Sequence, residues 1–134
     1  MHAQFTGPTG VADAIAQAVT DGCSATNPKN IYIKPGTYTS NLTLHDGINL
    51  VGFSPSSVLA IKNQAAVITG TMAYPASVSQ GTVSISNITI LDTTSTYYLT
   101  VSSTIGNVIF YDCQITCQGV FCDATVQTFL EFHN

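Results

Sequence analysis

Residues 31–44 read IYIKPGTYTSNLTL. Two runs rich in β-branched and leucine residues, Ile31-Tyr32-Ile33 and Asn41-Leu42-Thr43-Leu44, flank a Lys34-Pro35-Gly36-Thr37 corner. The chain turns again at His45-Asp46-Gly47 before INLVGF, 48–53. Proline sits where it cannot interrupt a ladder, and glycine can take a positive φ, so both sites read as corners between short strands. Strand, sharp corner, strand, repeated at close intervals, points to a repetitive β architecture.

Outward from this stretch the pattern divides in two. Toward the N-terminus Val11, Ala14, Ile15, Ala18 and Val19 recur at three- and four-residue spacing, which predicts one amphipathic helix over about 10–20. Thr9 is its expected N-cap, Asp13 lies in the first turn and Asp21-Gly22 is the stop. Residues 1–9, with a single Gly7-Pro8-Thr9 triplet before Gly10, read as a flexible lead-in, and 10–134 as one domain. Beyond residue 30 every segment is strand-like and bounded by Gly, Pro, Ser, Asp or Asn. MAYPASVSQG, 72–81, is the longest stretch without a strand pattern and is expected to protrude as a loop.

Self-comparison gives a period. Asn87–Asp92 aligns with Asn107–Asp112 at a shift of 20 residues, Gln127–Phe132 fits a further 20 on and Thr128–His133 a further 21 on, and Leu50 matches Ile88 at 38. Several short strands in about 20 residues predict an all-β parallel β-solenoid in which each coil buries its inward residues against the next. The helix would then cover the first coil, whose open edge otherwise invites aggregation.

The helix VADAIAQAVTDG, then IYIKPGTYTSNLTL, then HDGINLVGF resemble the start of a right-handed parallel β-helix of the pectin lyase-like superfamily: its cap helix, its Pro-Gly-Thr-Tyr first coil and its Leu-Val-Gly second face. The close match spans about residues 11–53, and the remainder agrees in period only. The resemblance implies a right-handed β-helix. It leaves function open, since members include polysaccharide lyases, hydrolases, phage tailspikes, viral surface proteins and bacterial adhesins. Asn87 and Asn107, one expected coil apart, resemble the asparagine ladders of such helices. The lyases' basic residue is commonly Arg or Lys, and Arg is absent here; the galacturonase-type signatures are missing as well.

Composition narrows the field. Charged residues make up 7% of the 134 residues, against about 25% in ordinary soluble domains. A surface of Ser, Thr, Asn and Gln, or one buried against copies of the same chain, is the expected consequence. With Lys29, Lys34 and Lys62 as the only Lys or Arg residues and a net charge of −4, counterion release offers nothing toward nucleic acid. No apolar run approaches the roughly 18 residues of a membrane span, and the N-terminus lacks the pattern of a secretory leader.

Several constellations could carry chemistry. Asp92 and Asp112 end the two aligned segments, so stacked coils would hold them roughly 5 Å apart. That spacing suits Ca²⁺, a shared proton or a retaining glycosidase pair, and strand-end Asp is equally ordinary turn chemistry. Cys113, Cys117 and Cys122 with His133 invite a zinc reading, although the spacing is not a Cys-x₂-Cys knuckle and core or disulfide roles fit too. His45-Asp46 is a possible acid/base couple or plain corner composition. Tyr74 in the expected loop, with Tyr97 and Tyr98, could stack on sugar rings. The three lysines are too scattered in sequence for an anion site.

The expectation is a non-catalytic β-helix module, extracellular or on a virion or cell surface, in a homotrimeric fibre that binds a glycan or receptor. A polysaccharide lyase or glycoside hydrolase is the competing class, and a purely structural stacking module the third.

Overall fold

The computed structural model describes residues 4–53, 66–75, 81–92, 97–101, 106–124 and 129–133. Helix α1 spans Gly10–Thr20 and buries Val11, Ile15 and Ala18, while Val19 is 40% exposed, so the apolar stripe is narrower than the spacing suggests. Thr9 is the N-cap, but its hydroxyl donates to the Asp13 carboxylate at 2.9 Å instead of capping a backbone N–H. The helix ends in a Schellman turn. Gly22, at φ +78°, donates to Val19 O and Cys23 N donates to Ala18 O, each at 3.0 Å. Buried Cys23 and Ala18 provide the apolar contact that accompanies such an ending.

Thirteen strands follow among the described residues: β1 Lys29–Ile33, β2 Gly36–Thr39, β3 Leu42–Thr43, β4 Ile48–Gly52, β5 Ala66–Thr69, β6 Met72–Tyr74, β7 Gly81–Ser86, β8 Ile88–Asp92, β9 Tyr97–Val101, β10 Gly106–Tyr111, β11 Gln114–Cys117, β12 Val120–Ala124 and β13 Phe129–His133. They form three sheets, β1-β4-β7-β10-β13, β2-β5-β8-β11 and β3-β6-β9-β12. Every ladder between them is parallel. Each strand therefore pairs with the third strand before or after it, and the chain passes from the first sheet to the second to the third in turn. Among the described residues the regular structure is all-β apart from α1. Among the described residues no helix is long and apolar enough to cross a membrane.

Strand alternation sends one side of each sheet inward, where like residues stack in columns. Leu50, Ile85 and Phe110 form one, Ile68 and Ile90 a second, and Leu42, Met72 and Leu99 a third, all at most 2% exposed. Full burial of such a side chain contributes about 1.5–3 kcal/mol, so these columns supply the main cohesion between neighbouring strands. Helix α1 packs on β1 and β3 and adds Val11, Ile15 and Ala18 to the same core.

The register corrects the uniform 20-residue period. Pairings Lys29↔Ile48, Leu50↔Ile85, Ile85↔Phe110 and Phe110↔Phe132 give repeats of 19, 35, 25 and 22 residues, the differences between the paired numbers. The inward columns persist across these different spacings. Asn107 consequently pairs with Thr82 and not with Asn87, so the expected ladder of those two asparagines does not form. An asparagine ladder exists elsewhere. Asn49 Nδ2 donates to Asn30 Oδ1 at 2.9 Å, and Ser84 Oγ donates to Asn49 Oδ1 at 2.7 Å, across β1, β4 and β7.

Asn87 instead occupies the corner between β7 and β8 at φ +54°, and Asp112 occupies the matching corner between β10 and β11 at φ +50°. Short polar side chains tolerate this left-handed conformation better than most. Gly52 ends β4 directly against that column: a Cβ there would stand 2.0 Å from Asn87 O. The corner at Asp46-Gly47 is realised as expected, with Gly47 at φ +80°. The predicted 72–81 loop is corrected, since Met72–Tyr74 is a core strand and Gly81 begins another; 76–80 lie outside the described residues. So does the strand expected at VLAIKN, 58–63.

Candidate functional site

β1 is the outermost strand of its sheet, and its outward side chains are Asn30 and Tyr32, both exposed. The residue after β4, Phe53, donates its N–H to Ile33 O at 2.8 Å, which carries the chain one step past the ladder and sets its ring beside Tyr32. The two rings lie 5.9 Å apart at 58°, a tilted contact, and each residue is 60% exposed. They are the most exposed large apolar side chains among the described residues. The neighbouring corner is fastened by Tyr38, whose hydroxyl donates to Lys34 O at 3.0 Å while its ring covers Gly36. That explains the Pro-Gly-Thr-Tyr order: proline and glycine make the bend, and tyrosine ties its two sides.

Together with α1 these elements enclose a cleft of 1090 Å³. Its lining includes the aromatic residues Phe5, Tyr32, Tyr38 and Phe53 alongside Gln17, Asp21, Lys29, Asn30 and Lys34. Two of the three lysines, scattered in sequence, thus line one cleft. The arrangement offers flat apolar faces for stacking, amides that both donate and accept, and charges of both signs, in a volume typical of sites for small ligands.

The residues proposed from sequence fall elsewhere. Tyr74 is not a loop residue: it is 1% exposed in β6, and its hydroxyl donates to Asp46 Oδ1, so no ring face is open to a sugar. Tyr97 and Tyr98 belong to β9, and their side chains lie outside the described residues. Asp92 and Asp112 are not stacked neighbours. Asp92, 3% exposed at the end of β8, is in register with Cys117, whereas Asp112 is an exposed corner residue in the Asn87 column. The geometry for Ca²⁺ binding or proton sharing between that pair, which needs adjacent carboxyls, is therefore not formed.

No disulfide joins Cys23, Cys113, Cys117 and Cys122 to one another. Cys113 Sγ donates to the carbonyls of Ile85 and Tyr111, both at 3.4 Å, and burial pushes its thiol pKa up. Burial also raises Cys117, and the Asp92 charge adds to the effect. His133 stacks on Tyr111 at 5.0 Å and lies 3.1 Å from Glu131, so it does not close a zinc site with the cysteines. Among the described residues no group of three His, Cys, Asp or Glu side chains is placed to hold a metal.

Asp46 is more than corner composition. It is 5% exposed, receives the Tyr74 hydroxyl, and occupies the space a Cβ on Gly81 would need, 2.1 Å from Oδ1. Its own carbonyl accepts from Cys23 Sγ at 3.3 Å and lies 3.2 Å from His45 Nδ1. These contacts make it a structural anchor joining the Asp46-Gly47 corner to β6 and β7. Sequence reasoning also missed the Tyr32–Phe53 pair. Alternation does mark Tyr32 as outward, but placing Phe53 beside it requires the 19-residue register of β1 on β4. No protein-family model, curated protein or solved structure matches the chain.

Proposed function

We propose that the chain is a pectin lyase-like, right-handed parallel β-helix closed at one end by α1, and that it serves as a non-catalytic glycan-binding module of a self-associating assembly on a virion or cell surface. The ordered passage of the chain through three parallel sheets supports the fold part of this reading, together with the strong right-handed preference of parallel crossovers.

The functional part is carried by the Tyr32–Phe53 pair at the cleft. Neither ring contributes to the core, and each leaves apolar area in water. A pyranose offers an apolar C–H face and a rim of hydroxyls. Tyr32 and Phe53 supply surfaces for the face, while Asn30, Gln17 and Lys34 supply partners for the rim. A glycan array, followed by titration of the hits, tests the reading on wild type and on Tyr32→Ala with Phe53→Ala. Two stacking contacts are together worth about 1–3 kcal/mol, so the double variant should bind roughly fivefold to 150-fold more weakly. Unchanged binding by a double variant with normal melting would refute the site. Release of reducing ends or unsaturated uronate from the bound glycan would instead make the module an enzyme.

A further inference from the structure

Asn30, Tyr32 and Phe53 line the cleft and also stand at the rim of a second surface, the outward side of the first sheet. Register lays the side chains of that surface in two rows that cross the strands. One runs Tyr32, Val51, Ser86, Tyr111 and the other Asn30, Asn49, Ser84, Ile109, through β1, β4, β7 and β10. None of these eight residues carries a charge. The second row holds the asparagine ladder, whose hydrogen bonds orient both amides and leave each with a donor still free for a ligand. In the first row the middle is low and the ends are tall. Val51 and Ser86 are half-buried, and Ser86 Oγ donates to Leu50 O at 3.4 Å, whereas Tyr32 is 60% and Tyr111 39% exposed. His133 stacks on Tyr111 at 5.0 Å from the side of β13, so the other face of the tyrosine ring turns back toward Ser86. The two tyrosines stand three strand spacings apart, about 14 Å.

We infer, resting on the glycan reading of the Tyr32–Phe53 pair, that its ligand is an extended, uncharged polysaccharide that leaves the cleft and crosses β4 and β7 to a second stacking position on Tyr111. A compact oligosaccharide would fill the cleft and leave Tyr111 unused. A chain drawn straight across the sheet meets both rings. Its units, each about as long as the ~4.8 Å between strands, meet the amides and the Ser84 hydroxyl of the second row one after another. The low middle of the first row gives the chain room to lie close, and the fixed amides are ordered before it arrives, which lowers the cost of binding. An acidic chain fits this face poorly. Lys29 and Lys34 line the cleft at the Tyr32 end, and beyond it each carboxylate would lose water over a surface without a cation, on a protein of net charge −4.

Titration calorimetry with cello- and chito-oligosaccharides of two to six units, and with oligogalacturonates of the same lengths, tests this. On wild type the affinity for an uncharged series should rise with each unit up to about four, the number that three strand spacings hold, and then level off. Tyr111→Ala should weaken binding more as the oligomer lengthens, reaching about twofold to tenfold at four units and above, while Tyr111→Phe, which keeps the ring, should bind as wild type does. Equal melting temperatures separate a lost contact from a lost fold, and the length series on wild type needs no substitution. Four results would each overturn the extended-chain proposal: affinity independent of length, normal binding of long oligomers by a well-folded Tyr111→Ala variant, no binding of either uncharged series, or oligogalacturonates bound as tightly as uncharged oligomers. Glycan-array hits that are lost in Tyr32→Ala with Phe53→Ala but are all short or charged would also overturn it, and would leave the cleft a glycan site. An array without hits, or with hits that this double variant keeps, would remove the cleft reading and the extended chain together.

Discussion

The Asp46, Tyr74 and Gly81 cluster makes a quantitative prediction. Tyr74→Phe removes the hydroxyl that donates to Asp46 Oδ1 inside the core, while keeping the ring that fills the site. Loss of one such buried hydrogen bond should cost about 1–2 kcal/mol. Gly81→Ala acts on the same carboxyl by another route. Its new Cβ would stand 2.1 Å from Oδ1 and 2.2 Å from Cγ of Asp46, so the buried side chain must move. Overpacking of this kind costs about 1–3 kcal/mol, and displacement of the carboxyl adds the lost Tyr74 bond, for about 2–5 kcal/mol in all. Because both variants break the same bond, their effects should not add. Tyr74→Phe in the Gly81→Ala background should cost about 1 kcal/mol less than in wild type, a coupling measurable by a double-mutant cycle. Urea denaturation of the four proteins, followed by far-ultraviolet circular dichroism, gives the free energies from midpoint and slope. A Tyr74→Phe loss under about 0.5 kcal/mol, or strict additivity of the two substitutions, would refute the anchoring role.

Other expectations concern the corners, the ladder and the thiols. Gly52→Ala should destabilise by about 3 kcal/mol or prevent folding, since the obstacle is the Asn87 carbonyl, backbone that cannot rotate away; a urea midpoint within error of wild type would count against the close approach. Asn49→Ala removes the acceptor of Ser84 and the donor to Asn30 and should cost about 1 kcal/mol, read by the same assay. The thiols of Cys23, Cys113 and Cys117 have pKa values raised by burial, so in the unfolded chain they ionise first as pH rises. Their contribution is therefore fully present below the ordinary thiol value of about 8.5, and stability should decline as pH climbs above it toward the folded-state values. Denaturation between pH 7 and 10 on wild type and Cys113→Ala should show a shallower decline in the variant, and parallel curves would exclude Cys113 as a contributor.

What could be read from the sequence was local. The helix from Gly10 to Thr20, its stop at Asp21-Gly22, and the corners at Pro35-Gly36 and Asp46-Gly47 depend on residues within a few positions of one another, and those signals were clear. Register was not. Asn87–Asp92 and Asn107–Asp112 look alike because strands of any sheet share the same alternation, yet one segment runs into β8 of the second sheet and the other along β10 of the first. Matching them by resemblance joined residues from different sides, and the Asp92–Asp112 pair went with that match. Repeat lengths from 19 to 35 residues defeat any search for one fixed period. The same dependence on register hid the exposed aromatic pair and the anchor: Tyr32 meets Phe53, and Asp46 meets Tyr74, only after strands distant in sequence are laid side by side.

Parallel pairing throughout has a kinetic consequence. Among the named strands the shortest ladder separation is 19 residues, and none of these strands pairs with its neighbour in sequence to make an early hairpin. Loop closure must be completed before any ladder bond is gained, so a slow, nucleation-limited refolding reaction is expected. Among the described residues the early local element is α1, packed on β1 and β3. Growth would then run as templated addition, each finished turn of the chain acting as the mould for the next. Synthesis from the N-terminus delivers the template before the segments that read it, so vectorial folding should outpace refolding of the full chain from denaturant.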